Sequence, residues 1–562
     1  MMALATAHVD TYARDHLPPL ETWPRLLLAP PTPHYPDRLN CSVELLDRAI
    51  EAGHGPSTAF IDGHEAITYL ELAARVDRTA RVLVDDLELI PGNRILIRSA
   101  NNISSVVAWL AIAKAGGIVV HTMPLLRSRE LQAIIEKAQI GLALCDHRLA
   151  AELEAATADG ATCRRIVYFD GSDGGGYELE RLAATKPPTF AAAGTAADDV
   201  VLIAFTSGTT GSPKATAHFH RDVLAICDTF SAGVLRPTSD DVFVGSPPIA
   251  FTFGLGGLVA FPMRAGARSV LLESASPEEL VHAIEKNGAT VLITSPTAYR
   301  RILQLGAAHR LGSLRKCVSA GETLPRTVFE TWHKATEIRI IDGIGTTEML
   351  HIFISSSEDD IRPGAVGLPV PGYEAKVVDE SMQELPPGQV GRLAVRGPTG
   401  CRYLDDLELQ RAYVVDGWNL TGDSFVKDED GYFWYQARTD DMIITSGYNV
   451  AAPEVEAVVL EHDAVSDCAV IGVPDDLRGN SVRAYVVLAA GAESSEALKD
   501  ELQAFVKERI AVYKCPRSIV FVPSLPRSAT GKVQRKALRV DAGLFLSSAH
   551  SHPPARNETE TP

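Results

Sequence analysis

Short apolar runs alternate with longer amphipathic stretches through the first two thirds of the chain. Runs rich in β-branched residues predict strands at RILIRS (94–99), GIVVHTM (117–123), RRIVYFD (164–170) and VVLIAFTSG (200–208). The stretch SRELQAIIEKA (128–138) has a helical period. The same order continues in RSVLLE (268–273), PEELVHAIEKNG (277–288) and TVLITSP (290–296). This alternation predicts an α/β fold with mostly parallel sheet.

The pattern changes twice in the last third of the chain. After residue 364, short strands between Gly and Pro turns predict a small β subdomain: YEAKVVD (373–379), GRLAVRG (391–397) and GYFWYQA (431–437). From residue 441 a mixed pattern predicts an α+β unit large enough to fold alone. Its elements are EVEAVVLEH (454–462), CAVIGVP (468–474), RAYVVLAAG (483–491), SEALKDELQAFVKERI (495–510) and RSIVFVPSLP (517–526).

We therefore predict an α/β protein with a large N-terminal domain, residues 1–438, built from parallel βα-type sheets and the small β subdomain. This domain is hinged to a small α+β C-terminal domain at 439–546. The polar tail, 547–562, is predicted to be disordered.

The composition narrows the function classes. A chain of 562 residues is too long for a single hydrophobic core, so two or more domains are expected. Its content of 46% hydrophobic and 22% charged residues is ordinary for a globular protein. A net charge of -18 argues against nucleic-acid binding, which needs a basic face. Small anionic ligands are still compatible with a locally basic site.

We expect neither a membrane span nor a secretory leader. The uncharged run GSPPIAFTFGLGGLVAFPM (245–263) is broken by Pro and Gly, and predicts interior loop and helix. The start, MMALATAHVD, lacks a basic region and an apolar core. The eight scattered cysteines form no C-x-x-C pair, so a zinc site or disulfide framework is not expected. These observations favour the cytoplasm.

The stretch TSGTTGSPK (206–214) has the composition of a phosphate-binding loop. Glycines let backbone N–H groups turn toward an anion, hydroxyls add donors, and lysine adds charge. The order differs from the G-x-x-x-x-G-K-S/T loop of many NTPases, because the second glycine comes too early and Pro213 precedes Lys214. The alternative interpretation is a Gly-rich hairpin turn without a ligand.

This stretch resembles the first phosphate-binding motif of the adenylate-forming superfamily of acyl-CoA synthetases, adenylation domains and luciferases. The resemblance assigns ATP binding to Thr206, Ser207, Gly208, Thr209, Thr210, Gly211 and Lys214. GIGTTEM (343–349) resembles the motif Y-G-x-T-E, with Ile344 in place of the tyrosine. It implies that Thr347 contacts the α-phosphate and that Glu348 holds Mg²⁺, as a carboxylate suits a hard cation.

Two further motifs imply nucleoside contacts. SAGETLP (319–325) resembles the adenine-contacting loop and implies that Gly321 and Glu322 lie near the base. NLTGD (419–423) resembles the T-G-D motif, whose Asp, here Asp423, binds both ribose hydroxyls. Tyr435 matches an aromatic position beside the nucleoside.

The remaining motifs concern the C-terminal domain. ARTDDMI (437–443) resembles the hinge motif G-R-x-D-D, which gives Arg438 a ribose or phosphate contact and makes Asp440 the pivot; Ala437 replaces the usual glycine. SGYNVAAPEVE (446–456) resembles the loop of the pantetheine tunnel and implies that Gly447 lines the CoA path. PRSATGKVQR (526–535) resembles the terminal P-x-x-x-x-G-K motif, with Lys532 as the adenylation lysine.

Together the motifs imply two half-reactions. A carboxylate first attacks the α-phosphorus of ATP, where Lys532, Mg²⁺, Thr347 and the phosphate loop would stabilise charge. The C-terminal domain then rotates about Asp440, and the CoA thiol attacks the acyl-adenylate. Mg²⁺ is the implied cofactor, and ATP and CoA are the implied co-substrates.

The acid is expected to be aromatic. GIGTTEMLHIF (343–353) closely resembles the aryl-CoA ligases that activate benzoate, which implies that His351 and Ile352 line the acyl pocket. AKAGGIVVHTMPLLRSREL (113–131) looks most like ligases for 2-aminobenzoate. PPIAFTFGLG (247–256) occupies the aromatic-motif position and adds Ala250 and Phe251. A neutral imidazole at His351 could bond a ring amine, which favours 2-aminobenzoate over benzoate. The alternative interpretation of His351 is a core histidine bonded to its own backbone.

Three other functions stay open at this point. The enzyme could load a separate carrier protein, but no D-S-L type phosphopantetheine site follows Lys532, so we expect free CoA. It could be a non-catalytic nucleotide or acyl binder, although Lys532, Glu348 and Asp423 are all present. It could also belong to the oxidoreductases of the luciferase branch. We expect a monomer or homodimer.

Overall fold

The computed structural model describes residues 4–30, 34–158, 162–170, 176–206, 213–438, 442–445, 448–475, 479–510, 512–528 and 531–542. The chain divides into two compact units, Met1–Tyr435 and Gln436–Pro562. The functional domains 1–438 and 439–546 stay a prediction, and the predicted disordered tail lies outside the described residues.

The strands between Thr58 and Arg438 form three sheets. They are β1 Thr58–Ile61, β2 Ala66–Thr68, β3 Arg94–Arg98, β4 Ile118–Thr122, β5 Leu142–Asp146, β6 Arg165–Phe169, β7 Val200–Thr206, β8 Lys214–Phe219, β9 Val242–Gly245, β10 Arg268–Val270, β11 Val291–Thr294, β12 Lys316–Ala320, β13 Ile340–Gly345, β14 Ile352–Ser355, β15 Leu368–Pro369, β16 Glu374–Val378, β17 Val390–Arg396, β18 Val414–Val415, β19 Trp418–Lys427 and β20 Phe433–Arg438.

The α-helices of the N-terminal unit pack mainly against the first two sheets. They are α1 Tyr12–Asp15, α2 Tyr69–Arg81, α3 Ile103–Lys114, α4 Ser128–Ala138, α5 Ala150–Thr157, α6 Glu178–Ala184, α7 His220–Ile226, α8 Thr252–Gly254, α9 Phe261–Ala265, α10 Pro277–Asn287, α11 Pro296–Gln304, α12 Arg326–Thr336 and α13 Leu407–Tyr413. Wider π-helical turns occupy Val43–Asp47, Ile50–His54, Val82–Asp86, Cys227–Leu235 and Leu255–Ala260. Tighter 3-10 turns occupy Leu20–Thr22, His147–Leu149, Ala308–Arg310, Thr347–Met349 and Glu358–Asp360.

The first sheet has six strands in the order β6-β5-β3-β4-β7-β8. All neighbours are parallel except the β7–β8 hairpin. Strands β3 and β4 are buried at every position, which explains their continuous apolar sequence. Helix α3 is also buried almost throughout, and the Asn102 side chain caps it by accepting from the N–H of Ser105.

The second sheet has nine strands in the order β15-β14-β13-β12-β11-β9-β10-β1-β2. Its centre, from β13 to β1, is parallel, and both edges are antiparallel. The capping box of Ser276 and Glu279 starts α10, and Gly288 in the left-handed region ends it. The predicted α/β class is therefore confirmed.

The third sheet contains β16 to β20 and corresponds to the predicted β subdomain. The pairs β16–β17, β17–β19 and β18–β19 are antiparallel. The residues just before α13 extend the first sheet, because Thr216 on β8 bridges Tyr403. The N–H of Ala217 donates to Arg402 at 2.9 Å, and that of Leu404 donates to Ala215 at 2.8 Å.

The C-terminal unit has its own sheet and core. The strands are β21 Met442–Thr445, β22 Tyr448–Ala451, β23 Val465–Asp475, β24 Gly479–Leu488 and β25 Ser518–Phe521. The helices are α14 Ala452–Val459, α15 Glu496–Arg509 and α16 Arg535–Asp541, with a 3-10 turn at Val512–Lys514. Helices α14 and α15 bury Val455, Val459, Leu502 and Val506 in this core.

The uncharged run 245–263 lies inside the N-terminal unit, where helical turns from Thr252 onward are largely buried. No helix within the described ranges has both the length and the apolar character needed to cross a membrane. All eight cysteines are buried, and none forms a disulfide.

Candidate active site

The phosphate-loop stretch lies between two paired strands. Thr206 ends β7, Lys214 starts β8, and the two residues are direct partners in the antiparallel register. The predicted ligand residues Ser207, Gly208, Thr209, Thr210 and Gly211 lie outside the described residues. The structure thus fixes the two ends of the loop, and Lys214 is half-buried at its base.

The T-T-E motif forms a 3-10 turn directly after β13. The hydroxyl of Thr346 caps this turn by accepting from the N–H of Met349 at 3.2 Å. Leu350 then takes φ +68°, a region that costs a residue with a side chain about 1–3 kcal/mol. A Cβ at Gly345 would lie 2.5 Å from the carbonyl oxygen of His351, so the chain reverses tightly into β14. This turn presents Thr347 half-buried and Glu348 buried.

Glu348 is held by a tyrosine that the sequence analysis missed. The hydroxyl of Tyr403 donates to Oε1 of Glu348 at 2.5 Å. Burial and then the charge of Glu348 raise the pKa of Tyr403 well above its usual value, so the phenol stays protonated as a donor. The sequence shows no local signal for this pair, because the residues are 55 positions apart.

Two other predicted ligands, Lys214 and Asp423, lie near the pair of Glu348 and Tyr403. The Lys214 ammonium lies 6.0 Å from the ring centre of Tyr403. Burial and then the charge of Glu348 raise the pKa of Tyr413, with a smaller contribution from Asp423. The hydroxyls of Tyr413 and Thr346 are 3.3 Å apart. The structure therefore brings Lys214, Glu348 and Asp423 into one polar region.

The predicted adenine loop follows β12. Gly321 lies at the strand end with φ +90°, and the carboxylate of Glu322 accepts from the hydroxyl of Thr297 at 2.6 Å. Asp342 on the neighbouring strand was missed by the sequence analysis. Its Cα pairs with Ser319, and its Oδ1 has no hydrogen-bond partner in the described chain. The unpaired acceptor makes Asp342 a candidate contact for a bound base.

Burial raises the pKa of Asp342 from 3.8 to about 7. The unfolded chain therefore loses this proton before the folded chain does, and stability falls as the pH rises between these two values. The difference of about three units corresponds to at most about 4 kcal/mol. We expect Asp342→Asn to raise Tm relative to wild type by more at about pH 8 than at about pH 5.

Thermal unfolding at the two pH values measures this difference. Asp240→Asn is the matched control, because Asp240 is an exposed carboxylate in the same unit. An equal Tm difference at both pH values would show that the Asp342 carboxyl is not destabilised by ionisation.

The predicted ribose ligand lies on β19. Asp423 is 5% exposed and follows Gly422, whose φ of +77° accompanies a register shift between β17 and β19. Such bulges re-aim side chains at binding sites. Tyr435 on β20 packs edge-on against Phe425 at 5.4 Å. Arg438 ends the same strand, and its predicted contact stays a prediction.

His351 lies in a cage of three phenylalanine rings. The ring centroids are 5.4 Å away for Phe230, 5.7 Å for Phe253 and 4.6 Å for Phe261. His351 is 2% exposed, and the backbone of Phe253 offers a hydrogen bond to its ring. A Cβ at Gly256 would lie 2.4 Å from the imidazole, so only glycine permits this approach.

The other predicted acyl-pocket residues surround the same region of the chain. Ala250 and Phe251 are half-buried just before α8. Ile352 is 2% exposed at the start of β14 and packs toward Gly343. The rings that contact His351 are Phe230, Phe253 and Phe261, which were not predicted. Phe253 belongs to the stretch 247–256 that supplied Phe251, and Phe261 follows it within the uncharged run 245–263. Phe230 had no sequence signal.

Lys532 lies in the C-terminal unit, where its side chain is exposed. The N–H of Ser528 donates to the carbonyl of Lys532 at 2.7 Å, and Arg527 donates to the carbonyl of Gly531 at 2.5 Å. The same guanidinium pairs with Asp467 at 2.5 Å. Arg527 thus holds the segment that carries Lys532. The predicted hinge Asp440 and tunnel residue Gly447 lie outside the described residues.

The N-terminal site suits Mg²⁺. No group of three or more His, Cys, Asp or Glu side chains in the described ranges could form a protein-only metal cage. Glu348 is a buried carboxylate with one oxygen bonded by Tyr403. Mg²⁺ is usually bound by one or two carboxylates together with substrate phosphates and waters. Glu348 would hold the ion, which would neutralise phosphate charge when bound.

Two family profiles match the sequence. The family described as AMP-binding enzyme matches residues 47–402, and the AMP-binding enzyme C-terminal domain matches residues 454–532. The benzoate–CoA ligase of Thauera aromatica is 34% identical over 515 residues, which cover 91% of this chain and 97% of that protein.

Solved structures agree with the sequence matches. The anthranilate CoA ligase AuaEII in complex with anthranoyl-AMP has a TM-score of 0.86 and 33% identity, covering 90% of this chain and 98% of that one. A benzoate CoA ligase from Burkholderia xenovorans LB400 has a TM-score of 0.81 and 32% identity, covering 89% and 99%. The resemblance found in the motifs is confirmed: the chain belongs to the AMP-binding enzymes, a family of adenylate-forming acid–thiol ligases, with aryl-CoA ligases among its relatives.

Proposed function

We propose that this protein is an ATP-dependent aryl-CoA ligase. It adenylates an aromatic carboxylate, with 2-aminobenzoate first and benzoate second, and transfers the acyl group to CoA with release of AMP and pyrophosphate. The observation that carries the choice of acid is the buried imidazole of His351, which lies among the rings of Phe230, Phe253 and Phe261.

The aromatic cage supports a flat, uncharged ring. Phe230 and Phe261 are fully buried and hold the His351 ring, whereas Phe253 is partly exposed and can make a tilted or edge-on contact with another aromatic group. Burial lowers the pKa of His351 to about 3, so the imidazole is neutral at pH 7. A neutral imidazole has one N–H donor and one acceptor nitrogen. It can therefore accept from the amine of 2-aminobenzoate without introducing a charge.

Adenylation rests on the polar region of the N-terminal unit. We propose that Lys214, Thr347 and the phosphate loop bind the phosphates of ATP, and that Glu348 holds Mg²⁺. Asp423 would bind the ribose, and the unpaired oxygen of Asp342 would accept from the adenine amine. Asp440 and Gly447 keep their proposed roles as hinge and CoA-tunnel residue. Developing charge at phosphorus is stabilised electrostatically, so no protein nucleophile is required.

The direct test is a panel of aromatic and aliphatic acids incubated with ATP, Mg²⁺ and CoA. AMP release and the mass of the CoA ester are followed together. We expect 2-aminobenzoyl-CoA or benzoyl-CoA as the main product. Release of AMP without a CoA ester would point to a carrier-protein acceptor, and turnover of aliphatic acids alone would contradict the aryl assignment.

We expect His351→Ala to reduce discrimination between the two leading acids. The ratio of kcat/KM for 2-aminobenzoate over benzoate should fall roughly tenfold, the value of about one neutral hydrogen bond. His333→Ala is the matched control, because His333 is an exposed histidine that also stacks on a phenylalanine. An unchanged ratio in His351→Ala would remove the imidazole from substrate selection.

A further inference from the structure

Tyr403 connects two parts of the proposed ATP site. Its hydroxyl donates to Oε1 of Glu348, while its backbone bridges Thr216 on β8, the strand that starts at Lys214. Tyr403 is 1% exposed, so the residues packed around its ring prevent the ring from turning toward solvent. The residue belongs to none of the motifs that identified the site.

The position of Tyr403 is fixed from several directions. Its N–H donates to the side chain of Gln410 at 2.9 Å, and its ring packs edge-on against Tyr413 at 5.7 Å. Neighbouring Arg402 is fully buried and pairs with Asp222 at 2.9 Å. Because the Tyr403 hydroxyl is fixed in position, it can also fix the orientation of the Glu348 carboxylate that accepts its hydrogen bond.

The hydrogen bond assigns different tasks to the two oxygens of Glu348. Oε1 accepts from Tyr403. Among the described residues this is the hydrogen bond that the carboxylate makes, so Oε2 can serve as the metal ligand. A carboxylate that binds a metal usually has such a supporting hydrogen bond, because it fixes the orientation of the ligand before the ion arrives.

We propose that Tyr403 is a positioning residue that orients Glu348 toward Mg²⁺ and keeps this carboxylate in register with the phosphate-loop hairpin. The proposal rests on the proposed function, in which Glu348 holds the ion. Tyr403 acts through Glu348 and does not itself contact the substrate. Loss of its hydroxyl should therefore weaken metal binding without weakening the binding of nucleotide alone.

The test measures Mn²⁺ as a spectroscopic substitute for Mg²⁺. The full chain is mixed with α,β-methylene-ATP, which cannot be cleaved at the α-phosphate, and free Mn²⁺ is followed by electron paramagnetic resonance. Nucleotide binding is measured separately with excess chelator. Tyr403→Phe removes only the hydroxyl. Tyr69→Phe is the control, because Tyr69 is a buried residue of α2 outside the proposed site, and its hydroxyl donates to the backbone carbonyl of Ala267 at 2.6 Å.

We expect Tyr403→Phe to weaken Mn²⁺ binding about tenfold, at the lower end of the effect of removing such a supporting group. Nucleotide affinity in chelator should stay within twofold, which also shows that the variant folds. Tyr69→Phe should change neither value. Mn²⁺ affinity in Tyr403→Phe within twofold of wild type would overturn the proposal.

Glu348→Gln separates this failure from a failure of the proposed function. If Glu348→Gln weakens Mn²⁺ binding and Tyr403→Phe does not, Glu348 holds the metal and only the role of Tyr403 is wrong. If neither variant weakens it, the metal assignment of Glu348 is wrong, and the positioning proposal fails with it. If wild type binds no nucleotide, the proposed ligase function fails.

Discussion

Lys532→Ala should slow formation of the acyl-adenylate by about 10²–10³-fold, the effect of removing one preorganised electrostatic group from a transition state. Conversion of supplied 2-aminobenzoyl-AMP and CoA to the thioester should stay within severalfold of wild type. Single-turnover assays of the two half-reactions, the first with ATP and 2-aminobenzoate and the second with the synthetic adenylate, measure both values.

The reason for this asymmetry is where negative charge develops. Attack on the α-phosphorus crowds charge around the phosphates and the departing pyrophosphate, and an ammonium group stabilises it. In the second step pyrophosphate has already left, so this cation has less to stabilise. Lys532 is exposed on a segment held by Arg527 and Asp467, which suits a group that is brought to the phosphates for one step.

Lys499→Ala is the matched control for Lys532→Ala. Lys499 lies in the same unit and pairs with Glu496 at 2.7 Å on the surface of α15. Its replacement should change neither half-reaction. An equal loss in both half-reactions for Lys532→Ala would mean that the lysine supports the fold or both steps, and would contradict the division of labour.

Local periodicity was enough to predict several of the elements. Helix α4 spans Ser128–Ala138, the same residues as the predicted stretch, because apolar residues at helical spacing bury one face. The strand predicted at 94–99 is β3, Arg94–Arg98, since a strand buried on both faces is apolar throughout. The change of pattern after residue 364, to short strands between Gly and Pro turns, located the third sheet.

Contacts between distant segments could not be predicted from periodicity. The motifs gave Glu348, Lys214 and Asp423, but not Tyr403, which meets Glu348 because the chain before α13 joins the edge of β8. Phe230 reaches His351 from a π-helical turn far from the T-T-E motif. Such contacts depend on which segments pair at the sheet edges and on how the helices pack, and neither can be read from a single sequence.

The buried pair of Arg402 and Asp222 gives the largest expected effect on stability. Both side chains are fully buried, with N–O contact at 2.9 Å, and the guanidinium lies 4.0 Å from the ring centre of Phe219. Asp222→Ala leaves the Arg402 charge buried without its partner. We expect a loss of about 3–5 kcal/mol in the free energy of unfolding of the N-terminal unit, measured by urea denaturation.

Replacing both partners should behave differently from replacing one. In the described chain, Nε and Nη2 of Arg402 and Oδ1 of Asp222 have no hydrogen-bond partner, so the pair is incompletely compensated for its desolvation. The double variant Asp222→Leu with Arg402→Met should therefore recover much of the stability lost in Asp222→Ala. A loss in the double variant as large as the sum of the two single losses would show that the charges do not depend on each other.

The surface pair of Glu496 and Lys499 provides the comparison, because Glu496→Ala should cost less than about 1 kcal/mol. A loss of that size in Asp222→Ala would mean that water reaches Arg402 and replaces its partner. Because Arg402 directly precedes Tyr403, the two outcomes also differ in function. If the pair is buried and dry, it fixes the backbone of Tyr403, whose hydroxyl holds Glu348, and Asp222→Ala should weaken Mn²⁺ binding as well as stability. If the pair is hydrated, Asp222→Ala should leave Mn²⁺ binding unchanged.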